Sequence, residues 1–228
     1  MILTRLSDAT PYVARAAICN LAAALILCAG MAQAAPLKLV AIGDSLTHGF
    51  GLPPEDGFVP QLERWLQAKG QDVSVINMGV SGDTTEGGRA RLDWALGGGA
   101  DAVIVALGGN DLLRGIDPTR SRENLDAMLA ALAAKDIPAM LAGMQAPLNY
   151  GPEFKEAFDA MYPEVAEAHG AILYPSFLAG LVSETGTAKD LMQDDGIHPN
   201  ARGVGLMVDA IGPRVLELLT RAKAQSGS

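Results

Sequence analysis

The sequence predicts an α/β chain, a parallel five-stranded sheet with helices on both faces. Three observations predict it. Five short β-rich apolar runs alternate with stretches of helical spacing. The third run, residues 102–107 (AVIVAL), is apolar throughout, as expected of a central strand covered on both faces. The first three runs are each followed by glycine, at Gly43, Gly79 and Gly108, so the chain turns sharply where each strand ends.

Each element has its own signal. Residues 37–42 (LKLVAI) form the first strand. Residues 58–68 have helical spacing, with Leu62, Trp65 and Leu66 on one side. Residues 73–78 (VSVINM) form the second strand. Residues 85–96 read as one helix, stopped by Gly97, Gly98 and Gly99. After the third strand come a helix over 123–134 and a fourth strand over 138–144. A helical stretch over 152–169 is expected to bend before Pro163. A fifth strand covers 171–174. A closing helix over 201–223 is expected to kink at Gly212-Pro213, and the small polar residues 222–228 are expected to fray. No repeat or linker divides the chain.

Composition limits what the protein can be. The 228 residues carry a formal charge of −9. That argues against a nucleic-acid binder, which needs a basic patch, and against docking on anionic lipid. Apolar residues make up 49%, which excludes a disordered chain.

Residues 1–34 have the pattern of a secretory signal peptide. Arg5 and Arg15 make a positive start, 13 of the 15 residues from 16 to 30 are apolar, and Ala32-Gln33-Ala34 forms a cleavage site. The competing reading, an uncleaved anchor, is weakened by length, since a span needs about 20 apolar residues. A lipoprotein is disfavoured by Leu27 before Cys28. Cleavage after Ala34 leaves a single domain, residues 35–228, exported to a periplasm or the exterior. This mature chain has 15 basic against 25 acidic residues, a charge of −10. It loses Cys19 and Cys28, so it holds no disulfide and no cysteine nucleophile. Its apolar fraction falls to about 45%, ordinary for a soluble domain.

In open α/β sheets ligands bind beyond the carboxyl ends of the strands. Those positions hold Gly43-Asp44-Ser45-Leu46, then Gly79 to Thr85 (GVSGDTT), then Gly108-Gly109-Asn110-Asp111. A fourth polar cluster, Asp194 to Asn200 (DDGIHPN), precedes the last helix. Acyl transfer needs a hydroxyl nucleophile, a base to take its proton, a carboxylate to orient that base, and N–H donors for the oxyanion. Three histidines are available. His169 ends a helix, where a structural role is favoured. His48 lies three residues after Ser45. His198 has Asp195 three residues before it, a loop spacing that lets a carboxylate reach the ring. Taken singly, Ser45, Gly82 and Asn110 have ordinary explanations as turn and cap residues. Their succession at strand ends is what is improbable.

The set Gly43-Asp44-Ser45-Leu46, Gly82, Gly108-x-Asn110-Asp111 and Asp195-x-x-His198 resembles the four blocks of the SGNH, or GDSL, hydrolases. The stretches GDSLTHGFGLP, VINMGVSGDTT, ALGGNDLLRG, APLNYG and MQDDGIHPN are similar to an exported subgroup of arylesterases and multifunctional thioesterase–lysophospholipases. The resemblance covers almost all of the mature chain. It implies a flavodoxin-like three-layer α/β/α sandwich. It implies a serine esterase acting through an acyl-enzyme, with Ser45 as nucleophile, His198 as base and Asp195 orienting it. The oxyanion hole would be the N–H groups of Ser45 and Gly82 with the Asn110 carboxamide. Met78 and His48 differ from many relatives near the presumed pocket.

Four further expectations concern the surroundings. Leu148 and Tyr150 would line an acyl channel. Residues 177–191 would form the opposite wall. Gly79, Gly82, Gly87 and Gly88 would make a mobile segment. No cofactor and no metal are expected, and the partner would be a small-molecule ester or lipid-like substrate met by a monomer without integral membrane association after cleavage. The alternatives are a carbohydrate acetylesterase of the same fold and a non-enzymatic binding module. The phosphate cradle that a nucleotide-binding module needs would be spoiled by Asp44. A Gly-x-Ser-x-Gly hydrolase is excluded, since neither Ser45 nor Ser81 has that pattern.

Overall fold

The structure is a computed structural model that describes residues 35–183, 186–187 and 189–226. The expected leader, residues 1–34, lies outside the described residues, as do residues 227 and 228 of the tail.

Five strands, β1 (Leu37–Gly43), β2 (Val73–Gly79), β3 (Ala102–Ala106), β4 (Ala139–Ala142) and β5 (Ile172–Tyr174), form one parallel sheet in the order β2-β1-β3-β4-β5. The register aligns Gly43 with Gly79 on one side and with Ala106 on the other, so three strands end at one level. Alternation along β1 decides which side chains face which layer. Leu39 and Ala41 pack with Phe58, Leu62 and Leu66 of α2 (Phe58–Ala68) and with Ile211, Val215 and Leu218 of the last helix, α8 (Ala201–Ser226). Val40 and Ile42 face the other layer. That layer consists of α3 (Thr85–Ala90), α4 (Leu92–Leu96), α6 (Pro118–Ala133) and α7 (Pro152–Ala168). The remaining helices, α1 (Ser45–His48) and α5 (Gly109–Leu113), are single turns at the strand ends. A small antiparallel pair, β6 (Val182–Ser183) and β7 (Gly186–Thr187), lies outside the main sheet. Among the described residues no helix is long and apolar enough to cross a membrane.

Several elements differ from expectation for physical reasons. The helix expected over 85–96 is two helices, divided at Arg91 (φ −107°, ψ 7°). Arg91 is committed to tertiary bonds: it donates to Asp83 Oδ2 (2.6 Å), the Met78 carbonyl (2.7 Å) and the Gly43 carbonyl (3.0 Å). Gly87 and Gly88, two of the four glycines expected in a mobile segment, belong to α3. A Cβ on Gly88 would run into the Leu107 side chain and one on Gly87 into Asp83. Helix α6 starts at Pro118, five residues earlier than expected, because Asp117 caps it by accepting from the Thr119 N–H (2.9 Å). Helix α7 continues through Pro163 and α8 through Gly212-Pro213. Gly212 makes room for the ring of Trp65, whose indole N–H bonds Asp209 across the layer (2.9 Å). The fourth strand is shorter than expected, Ala139–Ala142, because the chain beyond it leaves the sheet at the cleft.

The β2–α3 and β3–α5 connections are joined inside the protein by Asp111. Its carboxylate is buried and accepts from the Thr85 N–H (2.9 Å), the Thr85 hydroxyl (2.5 Å) and the Ser121 hydroxyl (2.8 Å). Replacing Asp111 with Ala strands buried donors, each worth about 1–3 kcal/mol. Asp111→Ala should therefore lower unfolding stability by about 3 kcal/mol or more in urea titration; a loss below about 1 kcal/mol would mean that the brace carries no weight.

Candidate active site

Ser45 opens the one-turn helix α1, immediately after β1. Asp44 caps that turn, its Oδ1 accepting from the Leu46 N–H (3.0 Å). The turn leaves the Ser45 N–H as an unpaired helix-terminal donor. Among the described residues neither this N–H nor that of Gly82 is used in an internal hydrogen bond. Gly82 adopts φ +81°, which an L side chain would strain, so glycine is required there. Gly108 (φ +116°) begins α5 with the Tyr162 hydroxyl packed where a Cβ would stand. That tight start brings Asn110 to the cleft.

The fourth cluster approaches from the loop before α8. Asp195 accepts from the backbone N–H groups of Ile197 (2.9 Å) and His198 (3.0 Å) through one oxygen. Its other oxygen meets His198 Nδ1 at 2.6 Å. His198 Nε2 lies 2.8 Å from Ser45 Oγ. The loop is pinned by Gln193. Its amide donates to the carbonyls of Phe50 (2.8 Å) and Pro199 (2.9 Å), and its backbone N–H donates to the His198 carbonyl (2.8 Å). The Phe50 ring lies against the His198 imidazole at 4.6 Å. Asn200 closes the loop by accepting from the Gly203 N–H in the first turn of α8 (3.0 Å).

Two carboxyls near Ser45 are shifted in opposite directions. Hydrogen bonds from His198 and Ile197 hold Asp195 down to about 2, so it stays ionised beside the imidazole. Burial pushes Asp44 up to about 6, against the pull of the Leu46 N–H and of nearby His198. Asp44 Oδ2 also accepts from the Asn110 amide at 3.4 Å.

Ser45, Gly82, Asn110 and His198 border one cleft of about 410 Å³. Leu46, Phe50, Leu112, Leu113, Met144, Leu178 and Ile197 give it a mostly apolar lining. Among the described residues of the wall expected from 177–191, Leu178 lines the cleft. Leu148 and Tyr150 do not line it: Leu148 is exposed in a short turn, and the Tyr150 hydroxyl donates to the Leu113 carbonyl (3.3 Å) from outside. His48 turns away to the Gly79 carbonyl (3.2 Å), and Met78 is half-buried against the core. His169 pairs with Asp126 (2.8 Å), far from the cluster in the fold. Phe50, Leu178 and Ile197 carry no spacing signal in the sequence, because they come from three separate loops. A larger depression of about 850 Å³ near Arg89 and Arg120 is lined by charges of both signs and lacks this constellation.

The Asp44 environment sets a pH dependence. Its carboxyl ionises near 3.8 when unfolded and near 6 when folded, so its favourable contribution is complete below 3.8 and is lost as pH rises through 6. Asp44→Asn removes this loss. The variant's stability relative to the parent should rise by up to about 3 kcal/mol between about pH 4 and pH 7.5. Denaturant unfolding at both pH values measures it, and a pH-independent difference would refute the environment described.

The model of the GDSL-like Lipase/Acylhydrolase family matches residues 41–206. The chain is 38% identical over 188 residues to "Esterase TesA" of Pseudomonas aeruginosa, covering 82% of this chain and 92% of that protein. It is 37% identical over 176 residues to the "Arylesterase" of Vibrio mimicus, covering 77% and 86%. The crystal structure of AlinE4, an SGNH-hydrolase family esterase, superposes with a TM-score of 0.68 at 39% identity, covering 82% of this chain and 99% of that one. The parallel five-stranded α/β sheet, the match over most of the chain and these relatives together make this protein an ester-hydrolysing enzyme that belongs to the GDSL-like lipase/acylhydrolase family, the SGNH hydrolases.

Proposed function

We propose that Ser45, His198 and Asp195 carry the hydrolysis as a nucleophilic relay. The observation that supports it is the run of two hydrogen bonds, 2.8 Å from Ser45 Oγ to His198 Nε2 and 2.6 Å from His198 Nδ1 to Asp195. Ser45 Oγ attacks the ester carbonyl carbon while its proton passes to His198 Nε2. The carbonyl oxygen becomes an oxyanion, received by the N–H groups of Ser45 and Gly82 and the Asn110 amide. The bond to the leaving oxygen breaks, and that oxygen takes the proton from His198. Water then attacks the acyl-enzyme with His198 as base, freeing the acid and restoring Ser45. Asp195, ionised throughout the working pH range, keeps the imidazole in the tautomer that presents Nε2 as acceptor.

The preferred substrates are aryl esters and short- to medium-chain acyl esters. The apolar lining of the cleft supports this acyl preference. Thioesters and lysophospholipids are further substrates of the same chemistry. The mature charge of −10 disfavours polyanionic acyl-CoA and favours neutral or zwitterionic esters. The enzyme acts as a monomer, exported to a periplasm or the exterior, after cleavage of residues 1–34.

Two variants test the relay. Ser45→Ala should abolish both the burst of acyl-enzyme formation and labelling by a fluorophosphonate; a retained adduct would refute the nucleophile. Asn110→Ala should slow turnover by about 10²–10³ while the protein stays folded. Near-normal turnover would remove Asn110 from the oxyanion hole.

A further inference from the structure

The two oxyanion donors outside α1 come from strands that do not touch. Gly82 follows β2, Asn110 follows β3, and β1 lies between those strands. No ladder of backbone hydrogen bonds can set the distance from one donor to the other. Their relative placement therefore depends on bonds between the two connections. Asp111 makes the inner one, to Thr85 at the base of α3. Gly82 itself stands further out, half-buried, at φ +81° and without a side chain to pack. A glycine left to itself occupies a broad range of backbone angles.

The outer bond belongs to Arg114. One guanidinium nitrogen donates to the Gly82 carbonyl at 2.7 Å. The backbone N–H of Arg114 donates to the Asn110 carbonyl at 3.1 Å, closing the turn that carries the carboxamide. One residue thus holds Gly82 by its side chain and Asn110 by its backbone. Arg114 is exposed and does not line the cleft, unlike Leu112 and Leu113 of the same turn. Arg91, the other arginine of this region, ties Asp83 to the carbonyls of Met78 and Gly43 and does not reach Gly82 or the α5 turn.

We propose that Arg114 is a positioning residue for the oxyanion hole, a strut that keeps the Gly82 N–H and the Asn110 amide at the separation a tetrahedral intermediate requires. The proposal rests on the assignment of Gly82 and Asn110 to that hole. The strut acts on the transition state, where the oxygen carries its charge, and hardly on ground-state binding. A misplacement of about 1 Å is enough to cost up to about 10²-fold in rate.

The test is a double-mutant cycle on a neutral aryl ester, using the mature enzyme. Arg114→Ala should lower kcat about 10-fold, with KM within about twofold and Tm within about 2 °C of the parent, since the side chain is exposed. Arg114→Lys, which keeps a cationic donor, should recover most of kcat. The rate of phosphonylation by a fluorophosphonate should fall in parallel with kcat, because its oxygen enters the same hole. In an Asn110→Ala background the Arg114→Ala loss should shrink to about threefold or less, because one of the two donors it aligns is gone. Three results overturn the strut: unchanged kcat in Arg114→Ala, full additivity with Asn110→Ala, or an effect confined to KM for esters with anionic leaving groups. The last would make Arg114 a leaving-group anchor instead. If Asn110→Ala alone is fully active, the hole assignment itself falls. If Asn110→Ala is slow and Arg114→Ala is not, only the strut falls.

Discussion

The active end of this protein depends on the position of β1 between β2 and β3. Because Gly43, Gly79 and Ala106 end in register, the three connections that follow emerge side by side. Ser45 stands in the middle, with Gly82 on one side and Asn110 on the other. The same order separates those flanking loops from each other. Side chains must therefore do what a sheet ladder does elsewhere, and they are polar ones. Asp111 joins the loops in the interior, Arg91 gathers the carbonyls at the strand ends, and the exposed Arg114 reaches Gly82. Much of the polar chemistry at this end serves geometry.

Environment then separates residues of the same type. Asp44 directly precedes Ser45 and Asp195 bonds His198, yet burial raises one to about 6 and hydrogen bonding lowers the other to about 2. Asp195 faces the His198 ring, where in the proposed relay a negative charge would support an imidazolium. Asp44, which keeps its proton only below about pH 6, accepts from the Asn110 amide instead.

Much of this was legible in the chain, for identifiable reasons. Strands in a covered parallel sheet are nearly continuous apolar runs, and residues 102–107 stood out for that reason. Ser45, Gly82, Asn110, Asp195 and His198 were visible because each sits in a small or polar cluster next to a regular element. Asp117-Pro118 was a readable helix start that apolar spacing alone placed five residues too late. The break at Arg91 was not readable, since its cause is three acceptors on Met78, Gly43 and Asp83. By residue type and place in the chain, Leu148 and Tyr150 suit an acyl channel. In the fold they stand outside the cleft that Leu178, Met144 and Phe50 border.

The sequence by itself determined the α/β class, the strand order of events along the chain, and the residue types able to perform acyl transfer. These are local properties: periodicity, turn residues and short spacings such as Asp195 to His198. The tertiary structure alone decided that Ser45 and His198, 153 positions apart, come within 2.8 Å. It also decided which apolar residues border the cleft and how the Gly82 and Asn110 loops are held relative to each other. Those outcomes depend on which strands are neighbours and where long side chains find acceptors, and no local pattern encodes a distance across a sheet.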